Sequence, residues 1–326
     1  MAIYIVVTIF GGLILILFLI LLGLLYWMFA RVPLTDAERT LHPRAEAWWI
    51  LDIEETGEHP RRLSSHTEEL LQRNTPSSVS RLIRKGATSE DCAMRYAVSF
   101  LPDDGETLEP LAVISMNRYP GVFRLVRRDL ERRLKRQELS GSVTYHREKG
   151  VFRDLTPGGW PVLSIVGLNF VRAHDIEQAR TMVGRILDEE VEPPPGHQPL
   201  ALWRQSETPC NHWGWAKAWR QVTWNALLPD ELAARVQRFS TALLQRFPEI
   251  ENTTDIRFWG QSYESGNKMT IRLHLPDAEA HAGFSAECPS WLEEYEDGFR
   301  FVDATSKYEP AADEVILKFE IRYGAR

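Results

Sequence analysis

The sequence lacks the common signatures of catalysis and cofactor binding. Its 326 residues contain no G-x-x-x-x-G-K-[ST] phosphate loop, no G-x-G-x-x-G turn, no H-E-x-x-H pair and no C-x-x-C pair. The segment from Gly260 to Glu264 misses the final glycine of the nucleophile elbow G-x-S-x-G. We therefore predict no catalytic residue and no cofactor, although carboxylates and histidines far apart in sequence could still converge in an unfamiliar enzyme.

Cysteine is scarce, and its spacing excludes two classes of protein. Cys92, Cys210 and Cys288 form an odd and sparse set, which does not indicate a disulfide framework. Cys210 and His212 are possible zinc ligands, but no second Cys/His pair completes a site of three or four ligands. We therefore predict no metal site.

An excess of positive charge is also lacking. The formal net charge is −7 and the sequence pI is about 5.8. A dedicated nucleic-acid-binding domain is typically basic, with its lysines and arginines clustered on one face. We therefore expect no nucleic-acid partner.

Charged side chains are missing from Ala2 to Ala30, the most informative part of the sequence. Residues 3–29 are almost entirely Ile, Leu, Val, Phe and Gly. At ~1.5 Å per residue, a helix of that length exceeds the ~30 Å hydrocarbon core of a bilayer. A cleaved signal peptide has a basic start and an apolar stretch of only about 7–15 residues. We therefore predict a transmembrane anchor at 1–30 that contacts membrane lipid through residues 3–29.

The charges that flank this stretch predict its orientation. Arg31, Arg39 and Arg44 follow it, whereas no lysine or arginine precedes it. Positive residues near the ends of a span favour the cytoplasmic side. We expect a single-pass inner-membrane protein whose remaining chain faces the cytoplasm, with the periplasmic orientation as the alternative.

The chain after the anchor is patterned as an α+β protein with mostly antiparallel sheets. We predict a membrane-proximal segment at 31–90, α+β subdomain 1 at 91–190, a proline-rich linker at 191–200 and α+β subdomain 2 at 201–326. In the first segment, Trp48–Leu51 is a short strand or an interfacial patch, and 66–73 and 77–85 are short helices.

Hydrophobic periodicity predicts the main elements of the two subdomains. The predicted strands are 94–101, 111–116, 142–147, 299–302 and 314–323, with 161–171 as one central strand covered on both faces. The predicted helices are 122–139, 175–189 and 230–247. Residues 255–263 and 268–275 form a predicted hairpin.

One predicted helix is strongly basic. Val122, Val126, Leu130 and Leu134 recur at helical spacing, reinforced by Phe123 and Leu125. The candidate binding residues of this helix are Arg124, Arg127, Arg128, Arg132 and Arg136. They could dock on anionic lipid headgroups or on an acidic partner, or they could form a solvated face with ion pairs such as Asp129–Arg133.

Two further segments are candidate binding surfaces. Trp213, Trp215 and Trp219 form an aromatic stripe if residues 203–224 are helical, as a ligand surface or as core packing. Trp291, Glu293 and Glu294 belong to an acidic, aromatic run at 287–297. That run suits a basic partner or forms an ordinary amphipathic helix.

The anchor, together with a domain that lacks catalytic motifs, predicts that the protein acts through its location at the membrane. We expect a membrane-anchored, non-enzymatic protein-interaction domain that binds a partner protein at the inner membrane. A bacterial envelope or secretion-system accessory or adaptor, or a toxin-immunity protein, fits this description. The alternative is a membrane-tethered enzyme or ligand-sensing domain with a site near 203–224.

Overall fold

A long antiparallel sheet organises the described residues of the computed structural model. The structure describes residues 17–26, 28, 30–53, 93–102, 107–118, 120–121, 123–125, 127–128, 132, 143–146, 151–154, 162–188, 191–197, 210–219, 222, 230–263, 266–295 and 299–322. All statements of absence below refer to these residues.

The twelve described strands form one sheet in the order β11-β12-β10-β9-β8-β1-β2-β3-β7-β6-β5-β4. Every pairing of neighbouring strands is antiparallel. The strands are β1 Ala47–Ile53, β2 Met94–Pro102, β3 Leu108–Met116, β4 Val143–His146, β5 Val151–Asp154, β6 Val162–Val166, β7 Asn169–Ala173, β8 His212–Ala218, β9 Thr254–Tyr263, β10 Gly266–His274, β11 Arg300–Glu309 and β12 Glu314–Arg322.

The second and the fourth of the helices given below each follow an aspartate that caps the first turn. Asp175 accepts a hydrogen bond from the Gln178 amide at 2.9 Å, and Asp277 accepts one from the Ala280 amide at 2.8 Å. The helices are α1 Ala37–Thr40, α2 Ile176–Leu187, α3 Asp230–Arg246 and α4 Ala278–Glu294, with a 3₁₀ turn at Pro248–Asn252.

Helices cover opposite faces of the two halves of the sheet. Directly paired residues of antiparallel strands share a face, and one run of paired residues crosses the sheet on the side of α2. That run is Val171, Val113, Ala97, Ile50, Trp213, Trp259, Thr270 and Lys318. Leu317, next to Lys318, points to the opposite face, where it joins the core beneath α4.

The two faces carry separate hydrophobic cores. Met182 of α2 packs in one core with Ile50 and Trp213 of the sheet, and Phe284 of α4 packs in the other with Phe247 and Leu317. The alternation of buried and less buried residues along β12 is typical of a strand with one covered face.

The predicted mixture of helices and mostly antiparallel strands is confirmed, and the described strands form one large sheet. The strands of both expected subdomains belong to this one sheet. They are joined by β1, which pairs with β8 on one side and β2 on the other. Trp48–Leu51 is therefore a strand at the centre of the sheet. The predicted helices at 66–73 and 77–85 lie outside the described residues.

The prediction of one central strand at 161–171 is wrong. Two strands, β6 and β7, pair there across a two-residue turn at Gly167 and Leu168. Gly167 has φ +58°, a conformation that glycine adopts without a steric cost. Glycine in the first position of a two-residue hairpin turn is the pattern of a type II′ turn. The apolar residues on both faces concealed this turn in the sequence.

The predicted anchor at 1–30 is described only from residue 17 onward, where 17–26 and 28 are helical. None of the helices in the described ranges combines the length and the apolar character needed to cross a bilayer.

Candidate membrane-proximal surface

The described part of the N-terminal helix exposes its apolar side chains. Every large hydrophobic side chain between Leu17 and Tyr26 is at least 43% exposed, and Tyr26 reaches 79%. A contiguous apolar surface of this kind usually marks contact with a membrane or with another protein.

The chain that leaves this helix meets the sheet at the end of β3. The Val32 amide donates to the Asn117 carbonyl at 2.8 Å, and Arg31 forms an antiparallel bridge with Arg118. The Asn117 side chain in turn accepts from the Ala93 amide at 2.8 Å. The backbone directly after the N-terminal helix is therefore held beside the backbone that leads into the basic segment.

A buried ion pair holds the next part of the chain. Arg95 on β2 donates from Nε and Nη2 to the two carboxylate oxygens of Asp52 on β1, at 2.6 and 2.7 Å. Its remaining nitrogen, Nη1, donates to the Thr35 carbonyl at 2.7 Å. Because Asp52 and Arg95 are directly opposite in register, the pair attaches residue 35 to the centre of the sheet.

The proline-rich linker packs against the same region. Trp48 Nε1 donates to the Pro195 carbonyl at 2.8 Å. Arg185 Nη2 donates to the carbonyls of Glu38 and Glu192 at 2.7 and 2.8 Å, and burial lowers the pKa of this guanidinium. Arg185 thus connects α2 both to α1 and to the linker.

The described residues between 120 and 132 are helical, and we call them the arginine helix. Arg124, Arg128 and Arg132 are exposed, and Arg127 is half-buried. Phe123 is 3% exposed, as an inward residue should be, whereas Leu125 is 54% exposed and does not reinforce the apolar stripe. Arg136, Val122, Val126, Leu130 and Leu134 lie outside the residues whose side chains are described.

Residues 212–218 of the tryptophan segment form β8, so Trp213 and Trp215 do not belong to a helical stripe. Trp213 and Trp215 lie two residues apart on β8, and both point into the core beneath α2, with 1% and 7% exposure. Trp215 Nε1 donates to Asp255 Oδ1 at 2.6 Å. Trp219 packs, partly buried, against the core beneath α3 and α4. The two buried indoles are not available to a partner in this conformation.

His212 and Cys210 lie at the start of the same strand. His212 is 3% exposed, and its ring nitrogens approach Asn211 Oδ1 at 3.2 Å and Met269 Sδ at 2.9 Å. Burial lowers the pKa of His212 to about 4. Cys210 Sγ donates to the His212 carbonyl at 3.2 Å. Within the described ranges, no three His, Cys, Asp or Glu side chains are placed to hold a metal ion.

The acidic candidates lie at the end of α4. Glu293 accepts from the Ala304 amide at 3.1 Å, next to the irregular register between Val302 and Thr305. Glu294 is exposed. Trp291 is half-buried beside Phe239 and Tyr295, with ring centroids 6.0 and 5.4 Å away. We call Phe239, Trp291, Glu294 and Tyr295 the aromatic–acidic surface.

Sequence reasoning missed a buried histidine, His281, which contacts Asp313 and Tyr308 near the start of α4. His281 is fully buried, and its Nε2 accepts from the Leu275 amide at 3.0 Å, which leaves the proton of the neutral ring on Nδ1. Nδ1 faces Asp313 Oδ1 at 3.4 Å, and the Tyr308 ring stacks on His281 at 4.8 Å. Tyr308 donates to Asp313, which raises the pKa of the phenol. No sequence spacing signals this cluster, because its members come from α4, β11 and the turn before β12.

Comparison with known proteins gives no functional assignment. No protein-family model and no curated protein matches the chain. Crystal form I of TP0453 aligns at 12% identity over 90% of this chain and 93% of that chain, with a TM-score of 0.46. Crystal form III aligns at 13% identity over 88% and 94%, with a TM-score of 0.47. At this identity and TM-score, the likeness says nothing about what the chain binds.

Proposed function

We propose that the chain is a single-pass, membrane-anchored, non-enzymatic domain that holds a partner protein at the bacterial inner membrane. Roles that fit are those of an envelope or secretion-system accessory or adaptor, or of a toxin-immunity protein. The exposed apolar helix at 17–26 carries this proposal, since its hydrophobic side chains need a lipid or protein environment.

The attachment of the anchor to the domain supports a positional role. A flexible tether would let the domain explore many orientations. Here Val32 and Thr35 are bonded to the sheet through Asn117 and Arg95. An anchor joined to the sheet in this way presents the domain to the membrane surface with restricted freedom.

The arginines after the helix support a cytoplasmic domain. Arg31 is exposed, and Arg39 and Arg44 follow it in the sequence. All three lie within about fifteen residues of the end of the N-terminal helix, which is roughly the range over which positive residues act on topology. A topology reporter fused after Arg326 tests the orientation. Activity only in the cytoplasm supports it, and activity only in the periplasm contradicts it.

The aromatic–acidic surface is the proposed partner site. It combines half-buried rings with an exposed carboxylate, Glu294, and aromatic residues are enriched in binding hot spots. Complementary charge speeds association and selects against the wrong partner. A partner with a basic surface fits this chemistry.

Membrane anchoring is tested by alkaline carbonate extraction of membranes from cells that express the full chain. We expect the wild-type chain to stay in the membrane pellet. Leu19→Arg with Leu22→Arg places two charges in the exposed apolar helix, and this variant should be extracted. Leu187→Arg, at a leucine 66% exposed on α2, is the matched control and should stay in the pellet. Extraction of the wild-type chain would contradict the anchor.

Partner binding is tested by cross-linking in membranes, followed by capture of the tagged full chain. A specific partner should be lost from Glu294→Lys and retained by Glu279→Lys. Both glutamates are exposed on α4, at its opposite ends. If no captured protein distinguishes these two variants, the aromatic–acidic surface is not the partner site.

A further inference from the structure

The end of the N-terminal helix and the start of the arginine helix are adjacent in the structure. Arg31 pairs with Arg118, and the Val32 amide donates to the Asn117 carbonyl at 2.8 Å. Pro120, the first described residue of the arginine helix, follows Arg118 by two positions. Whatever surrounds the chain where it leaves the N-terminal helix is therefore close to the first turn of the arginine helix.

Three arginines of this helix lie on one exposed side. Arg124, Arg128 and Arg132 are spaced by four residues, and residues four apart are neighbours on a helix surface. In a regular helix they span about 12 Å, and Arg124 lies about 6 Å along the axis from Pro120. The distance from Pro120 to Arg124 is within the ~10 Å Debye length at 0.1 M salt, over which a charged membrane surface acts.

The same side carries an exposed apolar residue. Leu125 is 54% exposed, whereas Phe123, two residues earlier on the helix, is 3% exposed. Leu125 is three residues from Arg128 and seven from Arg132, so these positions share a face. An apolar side chain flanked by arginines is the pattern of a helix that lies in the headgroup region, with its guanidinium groups at the phosphates.

We propose that the arginine helix binds the phosphate groups of anionic lipids in the bilayer leaflet from which the anchor emerges, with Leu125 inserted between the headgroups. This inference rests on the membrane anchor proposed above. Lipid is the occupant because the pairing of residues 31 and 32 with residues 117 and 118 places the helix beside the anchor's exit, and because arginines and anionic phosphates are complementary in charge. The anchor also supplies a high effective concentration of lipid.

The test uses the purified full chain in nanodiscs of phosphatidylcholine alone or of phosphatidylcholine with phosphatidylglycerol. Phenylglyoxal modifies accessible guanidinium groups, and mass spectrometry reads the rate at each arginine. We expect at least about fivefold slower modification of Arg124, Arg128 and Arg132 in the anionic discs. Arg300 and Arg322, exposed on β11 and β12, are internal controls and should react equally in both discs. About 1 M salt should remove the difference, because the Debye length falls to about 3 Å.

A matched pair of leucine variants tests the insertion of Leu125. Leu125→Gln should lose most of the protection of the three arginines, whereas Leu187→Gln, at the 66% exposed leucine of α2, should keep it. Equal protection in both variants would overturn the insertion of Leu125.

The other outcomes also decide the proposal. Equal modification rates in both lipid compositions, or equal slowing at the two control arginines, would overturn specific binding of anionic lipid. Protection that appears only when a captured acidic protein is added would assign the helix to that protein instead. If the chain enters nanodiscs and resists carbonate extraction but shows no protection, the anchor stands and the lipid-binding helix alone is wrong. If the chain fails to enter nanodiscs, both proposals fail.

Discussion

Asp52 on β1 and Arg95 on β2 form a bidentate ion pair. The side chains are 6% and 11% exposed, and the pair also holds the Thr35 carbonyl through the third guanidinium nitrogen. All three donor nitrogens of Arg95 are thereby used inside the protein. The pair joins the chain that follows the N-terminal helix to the centre of the sheet.

Removing one member of this pair should be strongly destabilising. Arg95→Met leaves the Asp52 carboxylate buried without its cation, and such a change typically costs about 3–5 kcal/mol. We expect a loss of this size in the free energy of unfolding, measured by urea denaturation of the full chain in detergent. Asp52→Leu combined with Arg95→Met should recover part of the loss, because no unpaired charge remains.

The control for this prediction is an exposed ion pair in the same segment. Asp36→Ala removes the contact between Arg39 and Asp36, which are 3.7 Å apart with Asp36 74% exposed. Exposed pairs contribute about 0–1 kcal/mol. A loss for Arg95→Met no larger than that for Asp36→Ala would show that the buried pair does not hold the segment.

Gly196→Ala should destabilise the contact between the proline-rich linker and the sheet. Gly196 has φ +67°, and a Cβ there would lie 2.2 Å from the Trp215 ring. Strain in this backbone region alone costs about 1–3 kcal/mol, and the clash with a buried indole adds to it. We expect a lower midpoint of urea unfolding and a shift in tryptophan fluorescence.

Gly283→Ala is the matched substitution with the opposite expected sign. Gly283 lies inside α4, and nothing within 4 Å would meet its new Cβ. Alanine in a helix interior is about 0.5–1 kcal/mol more favourable than glycine. If Gly196→Ala were as stable as the wild-type chain, or more stable, the tight packing of Gly196 on Trp215 would be contradicted.

Local periodicity was sufficient to predict several elements. The stripe from Leu232 to Phe247 predicted α3, and the alternation from Val315 to Ile321 predicted β12, because each has one face against a core. The hairpin of β9 and β10 was predictable because only a short polar stretch of sequence separates its two alternating strands.

The tryptophan strand and the buried polar contacts were not predictable in the same way. Trp215 and Trp219 are four residues apart, which matches a helix, while Trp213 and Trp215 are two apart, which matches a strand. Only the pairing of β8 with β1 and β9 decides between them. Asp52 and Arg95 are separated by 43 residues, and no local pattern connects them. Tertiary pairing therefore determined what periodicity left ambiguous.

Stability should fall on mild acidification because burial lowers the pKa of three described histidines, His42, His197 and His212. Burial lowers the pKa of His212 to about 4, and burial with the nearby Arg44 and Arg185 lowers that of His42 to about 4. Both groups titrate near pH 6.5 when the chain is unfolded, so the unfolded state binds more protons between pH 4 and 6.5. The stability contribution is complete above pH 6.5 and is lost as the pH falls toward 4, by at most about 1.4 kcal/mol per pH unit for each histidine.

The measurement is the slope of the unfolding free energy between pH 5 and 6.5, before most carboxylates titrate. His42→Asn keeps an acceptor for the Arg44 amide, which donates to the His42 ring at 3.1 Å in the native chain. This variant and His212→Gln should each have a shallower slope than the wild type, whatever their absolute stability. Slopes equal to that of the wild type would contradict the assignment of acid sensitivity to these residues.

Cys288 should report on the integrity of the core beneath α4. The side chain is fully buried beside Phe284 and Leu292, and burial, with a smaller contribution from Glu249, raises the pKa of the thiol to about 12. Because the thiolate is the reactive form, iodoacetamide at pH 8 should leave Cys288 unmodified in the native chain and modify it rapidly in denaturant. Cys210, which is half-buried, should react faster than Cys288 in the same native sample. Mass spectrometry of both peptides gives the two rates. Equal rates at Cys288 with and without denaturant would mean that α4 does not seal this core in solution.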